Sequence, residues 1–144
     1  MIRLKVDCRD GEHLKHDWIR KIQINEELNC AEFHCWLVGE IGFYKDQPFE
    51  FYYGDKYGRR KETVTEPEQP YSKFYGREKW EKITISELFP IPKRNRWLFY
   101  NYDCSASWIF LLKKLGKTKP SENLKISPTI LESIGKNPAQ YIFD

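Results

Sequence analysis

The sequence predicts an α+β domain, a mostly antiparallel sheet packed against one main helix with short additional helices. Three observations carry this reading. Apolar and polar residues alternate at the start of the chain, and two strong strand-like runs rich in apolar and aromatic residues follow at 96–102 and 108–115. A single strongly capped helical pattern spans 29–42. Strand-like segments lie on both sides of that helix, the order expected when strands pair with neighbouring strands and not across helices.

Ile2, Leu4 and Val6 alternate with Arg3 and Lys5, the period of a half-buried strand. Residues 7–17 are polar and contain Gly11, so they read as a turn. Trp18, Arg20, Ile22 and Ile24 then share one parity and Ile19, Lys21 and Gln23 the other. This is a second strand, expected to run antiparallel to the first. Asn29 can cap a helix and Glu32 can reach back to close a capping box. Phe33, Cys35, Trp36, Leu37, Val38 and Ile41 follow, too many apolar positions for a narrow stripe, and Gly42 can end the helix.

Phe49, Phe51 and Tyr53 alternate with Glu50 and Tyr52 as a strand, and residues 54–58 read as a turn. Thr63, Val64 and Thr65 are a candidate short strand within the otherwise irregular 59–82, where Pro67 and Pro70 interrupt any pattern. Residues 85–89 read as one helical turn, with Thr84 as its cap and Pro90 beyond. Two strong strands, 96–102 and 108–115, form a predicted hairpin, the second apolar on both parities and therefore central. Residues 129–134 read as a short helix closed by Gly135, and Asn137-Pro138 as another helix start. The expected organisation is one domain over 1–144, with a long irregular connection at 59–82 and a loosely structured C-terminal segment at 116–144. The expected core includes Leu4, Val6, Ile22, Phe33, Trp36, Leu37, Phe51, Leu98, Tyr100, Trp108 and Leu111.

Composition narrows the class. With 144 residues, 40% hydrophobic and 16% aromatic, the chain can bury a real core and is not a disordered segment. The net charge of +3 is a weak bias that selects no partner. No apolar run approaches the ~18 residues that a membrane span needs. Cys8, Cys30, Cys35 and Cys104 contain no C-x-x-C pair, and no signal peptide is read ahead of the first strand. A cytoplasmic protein with reduced thiols is expected, without contact to membrane.

No catalytic constellation emerges. Cys30 and His34 share a helix face, but two ligands are fewer than a zinc site uses. No metal and no cofactor is expected. Cys104 in its turn is the best candidate for an exposed thiol, yet the acid neighbour Asp103 would raise its pKa, not activate it. The segment 54–58 lacks the spacing of a phosphate-binding loop.

Basic residues do cluster: Arg59, Arg60 and Lys61; Lys93, Arg94 and Arg96; and Lys113, Lys114, Lys117 and Lys119. Aromatic residues stand beside several of them, including Tyr52, Tyr53, Tyr57 and Trp97, and Lys73, Tyr75, Arg77, Lys79 and Trp80 interleave. Exposed rings stack on bases while cations hold phosphates. The competing reading places most of the rings in the core and the charges on solvated loops and strand ends.

Four segments in order resemble a known family. Trp18-Ile19-Arg20-Lys21-Ile22 is similar to its early Trp-Arg-Arg-Ile strand. Residues 32–37, ending in Gly42-Phe43, resemble its Leu-His-x-x-Ile helix closed by Gly-Trp, and Phe49-Glu50-Phe51 its following His-Leu-x-x-Phe strand. Residues 84–88 and 98–103 resemble its Thr-x-Leu-x-Asp-Leu turn and Tyr-x-Tyr-Asp strand. The chain thus resembles a divergent member of the plasmid pRiA4b ORF-3-like family, also described as insertion-element passenger proteins. The resemblance implies an α+β domain found on plasmids, mobile elements and chromosomes. It brings no established activity. A resolvase-like label on some members points toward DNA. The family continues Asp-Phe-Gly-Asp, then Trp, then His two residues later. Here Asp103 and Trp108 remain, Cys104-Ser105-Ala106-Ser107 replaces the turn, and Phe110 takes the His position.

Three functional readings follow. The first is a non-enzymatic binding module that meets a protein partner through exposed aromatics and sheet edges. The second is an accessory nucleic-acid binder using Arg59, Arg60, Lys61, Lys93, Arg94 and Arg96. The third is an enzyme whose site gathers several of His13, His16, His34, Asp103 and Cys104 only in three dimensions.

Overall fold

The computed structural model describes residues 1–45, 47–64, 77–103, 106–118 and 127–141. Strand β1 (Ile2–Asp10) buries Ile2, Leu4, Val6 and Cys8 and turns Arg3, Lys5, Asp7 and Arg9 outward. It lies between β2 (Ile19–Ile24) and β6 (Trp108–Lys117), antiparallel to both. Strands β3 (Phe49–Gly54), β4 (Arg60–Thr63), β5 (Trp97–Tyr102) and β7 (Thr129–Ile134) complete a seven-stranded sheet of order β4-β3-β5-β6-β1-β2-β7. Every pairing is antiparallel.

Helix α1 (Cys30–Ile41) starts in the capping box that its sequence encodes. The Asn29 side chain accepts from the Glu32 amide at 2.8 Å, and Glu32 Oε1 accepts from the Asn29 amide at 3.1 Å. Gly42 closes the helix at φ 79°, a left-handed conformation that glycine adopts without a Cβ penalty. The Phe33 ring reaches Phe51 at 6.1 Å and Tyr100 at 6.3 Å. The Cys30 amide donates to the Ile83 carbonyl at 2.8 Å and the Ile85 amide to the Leu28 carbonyl at 2.9 Å, tying residues 83–85 to the start of α1.

The expected α+β balance is corrected. Among the described residues strand accounts for 42% and helix for 15%, so they form a mostly antiparallel sheet structure with one real helix. Of the short helices expected, 85–89 is a 3₁₀ turn at Ser86–Leu88, with Thr84 Oγ1 accepting from the Glu87 amide at 3.3 Å. Residues 129–134 are β7, and Asn137 starts no helix. A six-residue apolar stretch fits a helical and a strand period equally well, and here pairing with β2 decides. The irregular stretch 59–82 carries β4 and the four-residue helix α2 (Arg77–Trp80). The C-terminal stretch 116–144 carries the end of β6 and β7. Charged residues fill β4, so no apolar alternation announces it.

The core is the inner face of the sheet with one side of α1. Most of the expected residues lie in it, but Trp36 and Leu111 are only half-buried. Leu111 sits on the outer face, whose two halves differ. Around β3 and β5, Tyr52 stacks on Phe99 at 5.5 Å, and the Tyr52 hydroxyl donates to the Gly58 carbonyl at 2.7 Å, folding the 54–58 turn over both rings. Around β1 and β2 the outward side chains are mostly charged. No helix among the described residues is long and apolar enough to cross a membrane.

Candidate functional site

Two of the three basic clusters, 59–61 and 93–96, lie around β4, because Gly54 pairs with Arg60 on one side and Trp97 on the other, while Lys113, Lys114 and Lys117 lie on β6. Three of the six charges around β4 are answered there. Arg59 Nε meets Asp55 Oδ2 at 2.8 Å, Arg60 pairs with Glu50, and Lys93 Nζ meets Glu62 Oε1 at 2.6 Å. The Arg60 guanidinium also covers the Tyr52 ring at 5.1 Å. Arg96 donates to the Asn95 carbonyl at 3.1 Å, while Lys61 and Arg94 are exposed. Lys73, Tyr75 and Lys119 lie outside the described residues, and Trp80 is buried.

His34 is buried, stacks on Phe49 at 3.7 Å, and its Nδ1 shares a 2.6 Å hydrogen bond with the Tyr100 hydroxyl. Burial pushes the Tyr100 hydroxyl well above its ordinary pKa, so it stays neutral. Tyr100→Phe removes this hydrogen bond from a buried ring nitrogen. It is expected to cost about 1–3 kcal/mol, read as a lower urea midpoint at unchanged slope. Burial likewise pushes the Cys8 thiol up to about 12 and raises Cys30, which disqualifies both as thiolate nucleophiles. Asp103 is buried at φ 57° and builds its own turn, its carbonyl accepting from the Ala106 amide at 3.0 Å and the Ser107 amide at 2.7 Å. Cys104 lies outside the described residues. Among the described residues no group of three or more His, Cys, Asp or Glu could hold a metal ion.

An open cleft of about 560 Å³ lies on the outer face between β1 and the 10–17 turn, lined by Lys5, Asp7, Arg9, Leu14, His16 and Asp17 among others. Of the described groups proposed for a three-dimensional enzyme site, only His16 lines it. Burial raises the Asp7 pKa, opposed by Arg9, whose Nε stands 3.2 Å from its carboxylate, and by Lys5.

The two sheet edges differ in chemistry. At one end, β4 is Arg60-Lys61-Glu62-Thr63, short and charged. At the other, β7 is Thr129-Ile130-Leu131-Glu132-Ser133-Ile134, with Ile130, Leu131 and Ile134 exposed at 39%, 50% and 41%. Glu132 is its one charge, held by Lys21 at 3.0 Å. The register with β2 slips so that Leu131 has no partner there, a bulge that re-aims its side chain.

Buried Arg20 anchors the end of β7. Its guanidinium donates to the carbonyls of Ile134 at 2.9 Å and Gly135 at 3.2 Å, pairs with Glu40 Oε1 at 3.1 Å, and lies 4.2 Å from the Trp18 ring. Trp18 Nε1 donates to Asn137 Oδ1 at 2.8 Å, and Asn137 Nδ2 donates to the Glu40 carbonyl at 3.0 Å. No local pattern in the sequence announces the exposed apolar side chains of β7 or this latch, and the one signal is Arg20 on the apolar parity of its strand.

The family model for plasmid pRiA4b ORF-3-like protein matches residues 1–142. The chain belongs to this family. In this pRiA4b ORF-3-like protein the residue at the expected His position, Phe110, is buried beside Trp18 and Tyr100, so that position serves packing. No curated protein matches the sequence. A crystal structure of a protein of unknown function from Methanosarcina mazei Go1 shares the fold at a TM-score of 0.56 and 16% identity, over 92% of this chain and 68% of that one.

Proposed function

We propose that residues 1–144 act as one binding module that pairs an extended segment of a protein partner with the free edge of β7. One observation carries this reading, the asymmetry of the two sheet edges. Natural sheets blunt their edges with short strands, charge and proline. The β4 edge is short and charged, whereas β7 carries no lysine, arginine or proline and leaves three apolar side chains exposed. Among the described residues no strand pairs with its outer side. A strand added there would gain main-chain hydrogen bonds, with specificity from the side chains beside Ile130, Leu131 and Ile134.

The test is selection from a displayed random-peptide library. Peptides with alternating apolar residues are expected to be enriched on the wild-type protein. Leu131→Lys, a change at an exposed edge position, is expected to lower their affinity at least about tenfold without loss of fold. Failure to enrich any such peptide, or equal binding by the variant, would overturn the reading.

A further inference from the structure

The outer face of the sheet holds a feature that the β7 edge does not use. Lys5 of β1 stands opposite Lys113 of β6 on one side and Lys21 of β2 on the other. Three lysines therefore stand in one row across three adjacent strands, which are spaced about 4.8 Å apart. Like charges directly opposite one another destabilise a sheet. Of the three, only Lys21 forms an ion pair, with Glu132; among the described residues Lys5 and Lys113 make none, although the Asp7 carboxylate stands on the same face and feels the Lys5 charge. Arg3 and Arg9 extend the row along the outward side of β1, Arg9 held by Asp7 at 3.2 Å, and Lys15 lines the cleft beside it. Around β4, Arg59, Arg60 and Lys93 are each matched by an acid, whereas Arg3, Lys5 and Lys113 make no ion pair among the described residues.

We propose that this face binds the phosphodiester backbone of a nucleic-acid strand. The extent of the patch favours a chain of phosphates over a single small anion. Arg3 to Arg9 spans about 20 Å of strand and the lysine row about 10 Å across it. One phosphate would meet only two or three of these cations, whereas successive phosphates would meet them all. Tyr52 and Phe99, aromatic residues of the same face, are covered by the 54–58 turn and offer no surface for base stacking. Recognition here is therefore of the backbone, tolerant of sequence and dependent on salt.

The experiment is fluorescence polarisation of short labelled single-stranded DNA, single-stranded RNA and duplex DNA with the full chain. With about four phosphates neutralised, affinity for a single strand should fall about 50-fold between about 50 and 200 mM salt. The variant Lys5→Gln/Lys113→Gln should bind about tenfold more weakly with a shallower salt dependence. It should melt no lower than wild type, since it relieves a like-charge row. The control Lys93→Gln/Arg94→Gln should change affinity less than about twofold. No binding to any of the three nucleic acids at low salt would overturn the proposal. So would equal losses in the two variants, or binding to phosphatidylserine vesicles with none to nucleic acid.

Discussion

Replacing Arg20 with Met is expected to destabilise the protein by about 3–5 kcal/mol and to release β7 from the sheet. The methylene stem of the side chain can be replaced by Met, but its charge and donors cannot. Glu40 would keep its carboxylate, only 24% exposed, without this guanidinium. The carbonyls of Ile134 and Gly135 would lose their donor. A buried pair broken on one side leaves the penalty of the other charge, hence the size of the effect. Gly135→Ala attacks the same latch from the other strand. Gly135 sits at φ 89°, and an added Cβ would overlap the Asp17 carbonyl. Both variants should show lower urea midpoints and faster amide exchange in β7. An Arg20→Met variant within about 1 kcal/mol of wild type would show that the latch is not structural.

Trp108→Ala is expected to cost about 3–5 kcal/mol. Its indole is fully buried and meets the Phe43 ring at 4.7 Å. Gly11 lies against the same indole so closely that a Cβ would overlap the ring. Gly11→Ala should therefore destabilise as well, by about 1–3 kcal/mol through overpacking. Trp36→Ala should cost less than Trp108→Ala, because Trp36 is only half-buried. Equal losses at the two tryptophans in chemical denaturation would contradict this assignment of the core.

Several elements were legible because one local rule decides each of them. Alternation marked β1, β2 and β3, aromatic richness marked β5, and the Asn29–Glu32 box fixed the start of α1. The family was legible because its motifs are also local and occur in order. Other features depend on distant partners. Residues 129–134 read as helix because six residues carry no decisive period, and only β2 makes them a strand. The residues 59–61 and 93–96 look like a binding patch in sequence. Asp55, Glu50 and Glu62, which neutralise three of them, come close only through the turn and the strand pairing. The lysine row was invisible for the converse reason. Lys5, Lys21 and Lys113 are far apart in the chain, and register alone aligns them.

The central claim is that β7 presents an open pairing edge. Amide hydrogen exchange across Thr129–Ile134, measured in the free protein and with a selected peptide, tests it most directly. The account predicts that amides facing β2 are protected in the free protein, that those facing away exchange fast, and that the peptide slows the second set. Uniform protection in the free protein, or a peptide that leaves the outward amides fast, would contradict it.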